Sequence, residues 1–185
     1  MHEIKYRTQF PELLESLGLK GAAVECGVAE GRNAAVLIAS SAIEKLYLID
    51  NWSWLAQAGD GSHPKHWHDN NFKEVHERID PFKEKAVILK GMSSVMVKQI
   101  PDDSLIFSYI DGDHSFSGCF SDLLNIYPKV KTGGVIALHD YENLSYGVNK
   151  AVRKFLVENS YNLDDLHTTE EDGDLSMVSC WFIKK

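Results

Sequence analysis

The pattern that sets the architecture lies in residues 22–50, which read AAVECGVAEGRNAAVLIASSAIEKLYLID. The apolar run at 22–26 predicts a short strand that ends in a glycine-rich turn. The apolar spacing over 33–42 predicts a helix, and 45–49 predicts a second strand that ends at Asp50. A strand, a helix and another strand in this order form a βαβ unit with parallel strands.

The same alternation continues along the chain. Further strands are predicted at 86–89, 105–110 and 134–138, and helices at 64–79, 93–99, 117–127 and 148–158. Two weaker strands at 162–168 and 175–183 flank an acidic turn at 170–174, which predicts an antiparallel hairpin. Nearly all-apolar strands between helices predict a doubly wound α/β domain with a mostly parallel sheet.

The length and composition favour one acidic domain. At 185 residues the chain is close to the roughly 150 typical of a domain, so we expect one domain over 1–185, with 1–20 as an N-terminal helical extension. The formal net charge of −8 disfavours nucleic acid and anionic membranes as partners. Without a long apolar segment the sequence predicts a cytoplasmic location. The oligomeric state is open, with a homodimer as one alternative.

Polar and glycine residues cluster where the predicted strands end. Ligands of open α/β sheets bind beyond these carboxyl ends. The residues in question are Glu25 and 27–31 after the first strand, 50–52 after the second, 91–93 after the third, 111–114 after the fourth and 139–141 after the fifth.

The first turn carries Gly27 and Gly31 without the GxGxxG spacing that holds a pyrophosphate, which disfavours NAD and FAD. Glu25 offers a carboxylate to a positively charged ligand, and Asp50 stands where it would accept both hydroxyls of a ribose. Two plainer interpretations stay open. The glycines could serve only a tight turn, and Asp50 could start a loop or cap a helix. As a strand-end surface residue, Asp50 is expected to contribute little to the fold.

Four segments, taken in order, resemble the class I S-adenosylmethionine-dependent methyltransferases. They are VECGVAEG at 24–31, LID at 48–50, YIDGDHSF at 109–116 and GGVIALHDY at 133–141. The last two resemble the small-molecule O-methyltransferase branch that includes macrocin and catechol O-methyltransferases and cephalosporin-biosynthesis relatives. The resemblance implies a Rossmann-like methyltransferase fold with seven strands in the order 3-2-1-4-5-7-6 and strand seven antiparallel.

The resemblance also implies which residues hold the cofactor, S-adenosylmethionine. Glu25 and Gly27 would lie by its methionine part, Asp50 by the ribose, and 92–93 by the adenine. The full expected set is Glu25, Gly27, Gly31, Asp50, Asn51, Met92, Ser93 and Asp111.

In this branch a divalent cation, Mg²⁺ or Mn²⁺, is often held where strands four and five end, which here means Asp111, His139 and Asp140. Neighbouring parallel strands lie roughly 4.8 Å apart, so such side chains can share an ion. The family pattern more often has an acidic residue at the position of His139, and an imidazole suits Mg²⁺ less well than Mn²⁺, Fe²⁺ or Zn²⁺. Alternatively, His139 and Asp140 form a hydrogen-bonded pair that anchors the next loop.

Methyl transfer to an alcohol or phenol requires that the acceptor lose a proton. Asp113, His114 and His139 are the candidate bases, and the sequence leaves the choice among them open. The long segment 51–63 is expected to be functional, and Trp52, Trp54 and Trp67 are predicted to supply apolar contacts in a lid over the acceptor.

The leading hypothesis is therefore an S-adenosylmethionine-dependent O-methyltransferase acting on a small hydroxylated molecule, with assistance from a metal ion as an open question. Two alternatives are a domain that binds S-adenosylmethionine without turnover and an NAD-dependent oxidoreductase.

Overall fold

A computed structural model describes residues 4–52, 65–170 and 178–185. The strands are β1 Gly21–Cys26, β2 Ile43–Asp50, β3 Ala86–Lys90, β4 Leu105–Ile110, β5 Val130–Leu138, β6 His167–Thr168 and β7 Cys180–Ile183. The α-helices are α1 Phe10–Ser16, α2 Arg32–Ala39, α3 Lys65–Ile79, α4 Ser93–Met96, α5 Phe116–Ile126 and α6 Val148–Glu158. None of the described helices is long and apolar enough to span a bilayer.

The strands form one sheet in the order β3-β2-β1-β4-β5-β7-β6. The first five strands along the chain pair in parallel, and β7 runs antiparallel to both β5 and β6. This confirms the doubly wound α/β fold and the strand order that the family resemblance implied. The order reverses between β1 and β4, so the crevice for a ligand is expected beyond the ends of these two strands.

Apolar side chains cover both faces of the sheet. One buried cluster contains residues of α5 and α6, and the other contains residues of α1, α2 and α3. All six positions of β4 are buried because the strand lies between these two clusters. Packing on both faces thus positions the central strands and the polar residues at their ends.

The N-terminal segment packs on the sheet, as predicted for a helical extension. A 3-10 turn at Arg7–Gln9 leads into α1. The fully buried ring of Phe10 lies 5.2 Å from that of Phe107 and 5.8 Å from that of Tyr109, both on β4. This packing places Arg7 at the edge of the sheet where β5 ends, in contact with His139.

The predicted strand at 162–168 is wrong over most of its length. Only His167–Thr168 pairs as a strand, because the preceding residues form a 3-10 turn. The Asp165 carboxylate accepts a hydrogen bond from the Asn162 amide at 3.0 Å, which holds the chain in that turn. The strand predicted at 175–183 is β7, Cys180–Ile183, and most of the acidic turn lies outside the described residues.

Candidate active site

The turn between β1 and α2 is built on Gly27. Its φ is +84°, and a Cβ added there would lie 1.9 Å from the carbonyl oxygen of Asp111. The Asp111 amide in turn donates to the Cys26 carbonyl at 2.7 Å, so the ends of β1 and β4 touch through their backbones. Only glycine permits this approach.

Gly31 has a different neighbour. Its φ is +80°, and a Cβ there would lie 2.7 Å from Cγ2 of Val75 on α3. The structure therefore explains this glycine by helix packing, and its role in cofactor binding stays a prediction.

Asp50, the last residue of β2, forms hydrogen bonds with the backbone of the same turn. Its Oδ2 accepts hydrogen bonds from the amides of Val28 and Ala29, both at 2.9 Å, and its Oδ1 accepts one from the amide of Trp52 at 2.8 Å. The expectation that Asp50 contributes little to the fold is wrong, because its carboxylate satisfies three backbone donors. A carboxylate has about four acceptor sites, so these bonds are compatible with one more from a ligand hydroxyl.

Asp50→Ala is accordingly expected to lower the free energy of unfolding by about 3 kcal/mol, since buried amide donors lose a charged acceptor. Urea unfolding measures this loss. Asp164→Ala, at an exposed position, is the control and should cost under about 0.5 kcal/mol. Equal values for the two variants would contradict the role of Asp50 in the turn.

Glu25 on β1 is a buried carboxyl group beside this turn. Only 1% of Glu25 is exposed, and its Oε1 accepts a hydrogen bond from the side-chain amide of Asn33 at 3.1 Å. Its Oε2 is buried and has no hydrogen-bond partner among the described residues. Burial raises the pKa of Glu25 to about 8. A cationic ligand group would satisfy this oxygen and favour the ionised form.

Four side chains meet beyond the ends of β4 and β5. His114 Nε2 lies 3.2 Å from Asp111 Oδ1 and 3.3 Å from Asp140 Oδ2. His139 Nδ1 lies 3.3 Å and 3.2 Å from the same two oxygens. Asp140 reaches this position with a φ of +56°, which is unusual for a residue with a side chain. The sequence predicted that Asp111, His139 and Asp140 come together, and the structure shows them in contact.

Contacts within this cluster shift the pKa of Asp111 and of both histidines. Burial opposes ionisation of Asp111, yet the hydrogen bond from His114 and the proximity of His139 hold its pKa below the usual range. The hydrogen bond to Asp111 raises the pKa of His114. Burial opposes a charge on His139, but Asp111 and Asp140 raise its pKa to about 9.

Arg7 is the site residue that sequence analysis missed. Its Nη1 lies 2.8 Å from His139 Nε2. Since a guanidinium can only donate, Nε2 accepts, and the proton of a neutral imidazole lies on Nδ1. The two carboxylates favour a doubly protonated His139. In that form Nε2 carries a hydrogen and can no longer accept from Arg7. The first residues carry no motif or periodicity, so no signal pointed to Arg7.

Asp113 is not part of the cluster. It is exposed, and its Oδ1 accepts a hydrogen bond from the Ser115 amide at 2.8 Å where α5 begins. His114 instead stacks on Tyr146 with ring centroids 4.6 Å apart, which fixes its imidazole beside the carboxylates. A catalytic role for Asp113 stays a prediction.

The end of β3 lies next to Asp50, because the Gly91 amide donates to the Asp50 carbonyl at 2.9 Å. Met92 is 44% exposed, and Ser93 Oγ donates to Asp122 Oδ1 on α5 at 2.6 Å. The roles predicted for Asn51, Met92 and Ser93 in cofactor binding stay predictions.

The predicted lid needs one correction. Trp52 is buried, its ring lies 5.0 Å from that of Phe72, and its Nε1 donates to the Ala29 carbonyl at 2.8 Å. It is therefore part of the core, because its ring packs on α3. Residues 53–64, including Trp54, lie outside the described residues.

The residues at the ends of β4 and β5 fit a divalent cation. One ligand atom each from Asp111, His139 and Asp140 lies within 4.8 Å of the others. His139 Nδ1 is buried and, although close to both carboxylates, has no aligned hydrogen-bond partner among the described residues. Two carboxylates and an imidazole suit Mn²⁺ or Fe²⁺ better than Mg²⁺.

A family model described as a methyltransferase domain matches residues 24–141. The chain belongs to this family. The matched segment of the methyltransferase domain begins within β1 and ends just after β5, so it includes every predicted site residue from Glu25 to Asp140. A search of curated proteins finds no match.

Solved structures share the methyltransferase fold. The O-methyltransferase NovP is 19% identical, with a TM-score of 0.71 over 97% of this chain and 78% of NovP. Calicheamicin methyltransferase CalS11 is 16% identical, with a TM-score of 0.67 over 95% of this chain and 77% of CalS11. An rRNA methylase from Streptococcus thermophilus is 12% identical, with a TM-score of 0.66 over 99% of both chains. At these identities the likeness concerns the fold.

Proposed function

We propose that this protein transfers a methyl group from S-adenosylmethionine to a hydroxyl of a small molecule. The observation that carries the proposal is the unpaired Oε2 of Glu25, buried beside the Gly27 turn of a methyltransferase domain. The amino group of the cofactor's methionine part is a cation that would satisfy this oxygen. Asp50 would accept the ribose hydroxyls, and Met92 and Ser93 would lie by the adenine.

His114 is the general base in this proposal. Its Nε2 contacts both Asp111 and Asp140, and its side chain is 33% exposed, so an acceptor hydroxyl can reach it. His139 is buried, and its Nε2 already accepts from Arg7. The carboxylates would stabilise the imidazolium that forms on His114 when it takes the proton.

Asp111, His139 and Asp140 would hold a divalent cation. When bound, it would lower the pKa of the acceptor hydroxyl and orient that oxygen toward the methyl group. Coordination through Nδ1 requires that this nitrogen be free of its proton, so the hydrogen of His139 would lie on Nε2 and the contact of Nε2 with Arg7 would break.

A small acceptor fits the charge of the protein better than a nucleic acid does. One solved structure with this fold is an rRNA methylase, so the fold alone permits either class. The net charge of −8 repels a phosphate backbone and favours the small hydroxylated molecule. Location in the cytoplasm and assembly as a homodimer stay predictions.

Calorimetry with S-adenosylhomocysteine, the reaction product, tests the cofactor assignment. Since Glu25 must be ionised to bind the ammonium and its pKa is about 8, affinity should rise about tenfold between pH 6 and pH 7 and level off above pH 8. Glu25→Gln should bind more weakly at pH 8 and lose this dependence on pH. Glu30→Gln is the control, and its affinity should depend on pH as that of the unmodified protein does.

NADH should bind far more weakly than S-adenosylhomocysteine, because the turn lacks the glycine spacing for a pyrophosphate. Comparable affinity for NADH would favour the oxidoreductase. Tight binding of S-adenosylhomocysteine by a protein that methylates none of a panel of phenols, catechols and sugar alcohols would favour the binding domain without turnover.

A further inference from the structure

Ser93 and Asp122 form a partly buried polar pair that the proposed reaction does not use. Ser93 is the first residue of α4, directly beyond β3, and its Oγ donates to Asp122 Oδ1 at 2.6 Å. Asp122 lies on α5 and is only 4% exposed. The hydrogen bond therefore joins the segments that follow β3 and β4.

The pair lies between the residues that follow β3 and those that follow β4, next to the proposed ribose site. The Gly91 amide donates to the Asp50 carbonyl, so Ser93 stands two residues from a backbone contact with the proposed ribose site. On the other side, a Cβ at Gly112 would lie 3.3 Å from Asp122 Oδ2. A base joined to a ribose at Asp50 would thus reach Ser93.

The Asp122 carboxylate determines whether the Ser93 hydroxyl donates to a ligand or accepts from it. A hydroxyl has one hydrogen and two acceptor sites, whereas an ionised carboxylate can only accept. Burial raises the pKa of Asp122 to about 6, so it is largely ionised above pH 7. With its hydrogen held by Asp122, Ser93 can only accept from a ligand. The Ser93 oxygen can therefore accept a hydrogen bond from an exocyclic amine, whereas it repels a carbonyl oxygen.

We propose that Asp122 is a positioning residue that holds Ser93 as an acceptor and thereby makes the site select a 6-aminopurine over a 6-oxopurine. The inference rests on the proposed function, since it takes an S-adenosyl compound as the ligand.

Calorimetry at pH 7.5 with S-adenosylhomocysteine and S-inosylhomocysteine tests this selection. The two bases differ at C6, which carries an amine or a carbonyl, and at N1, which accepts a hydrogen bond in adenine and donates one in hypoxanthine, so the change in preference caused by Asp122→Ala isolates the contribution of C6. The unmodified protein should prefer the adenosyl ligand by at least about tenfold. Asp122→Ala should reduce this preference about tenfold, because the released hydroxyl can donate to the carbonyl. Asp122→Asn should keep the preference, since its amide oxygen still accepts from Ser93.

A double-mutant cycle separates positioning from a general effect on the fold. Ser93→Ala should reduce the preference, and adding Asp122→Ala to it should change the ratio of the two affinities no further. Equal weakening of both ligands by Asp122→Ala would show a merely structural role and overturn the inference. If Asp122→Ala does not fold, an unchanged ratio in Ser93→Ala overturns it. An unmodified protein that binds no S-adenosylhomocysteine overturns the proposed function itself, and the inference with it.

Discussion

Gly27→Ala is expected to destabilise the protein by about 4 kcal/mol and to abolish binding of S-adenosylhomocysteine. The new Cβ would lie 1.9 Å from the Asp111 carbonyl oxygen, and a backbone atom cannot yield as a flexible side chain would. Overpacking of this kind costs about 1–3 kcal/mol, and the left-handed φ of +84° adds about 1–2 kcal/mol. Separation of the two chain segments would also break the bond between Asp111 and Cys26.

Gly133→Ala provides a matched control for this variant. Gly133 has nearly the same φ, +83°, but no described atom lies within 4 Å of the position of its Cβ. The control should therefore show only the cost of the left-handed conformation, about 1–2 kcal/mol. Urea unfolding and calorimetry give the two quantities. Similar losses in both variants would mean that the contact with Asp111 is unimportant.

Removal of divalent cations is expected to reduce turnover about a thousandfold, which corresponds to about 4 kcal/mol of transition-state stabilisation. Added Mn²⁺ should restore activity more fully than Mg²⁺, because one ligand is an imidazole. Asp111→Asn should prevent this rescue, and paramagnetic resonance should show that the variant no longer binds Mn²⁺. His139→Asp should shift the preference toward Mg²⁺, since it completes a set of oxygen ligands.

Asp102→Asn, at an exposed position paired with Lys129, is the control for nonspecific loss of a carboxylate and should bind Mn²⁺ normally. Turnover that is unchanged by a chelator would refute the cation site. In that case a protonated His139 offsets part of the charge of Asp111 and Asp140, and neutral His114 acts as base without metal.

Much of this arrangement could be predicted from the sequence because it depends on short-range rules. Apolar runs between amphipathic segments predicted the parallel strands, and side chains that follow neighbouring parallel strands must meet at one edge. That is why Asp111 and the pair His139 and Asp140 could be placed together before the structure was known. The acidic turn at 170–174 predicted an antiparallel hairpin, and the resemblance to a family implied the place of β7 in the strand order.

Contacts between distant parts of the chain could not be predicted. Arg7 reaches His139 across 132 positions of sequence, and the packing of Phe10 on β4 determines this reach. Asp122 looks like a polar residue of an amphipathic helix, and its partner Ser93 belongs to another segment. The turn at Leu163–Asp165 replaced a predicted strand because side chains bond locally to the backbone there.

The three amide bonds of Asp50 also have a consequence for how the protein folds. Asp50 follows Val28 by 22 positions, so the β1–α2 turn has its acceptor only after β2 has aligned beside β1. Closing this loop costs chain entropy before any contact repays it. The β1–α2 turn should therefore acquire its native form together with the β1–β2 pairing rather than ahead of it. In a folding transition state, Asp50 and the residues that join these two strands should report the same degree of native structure.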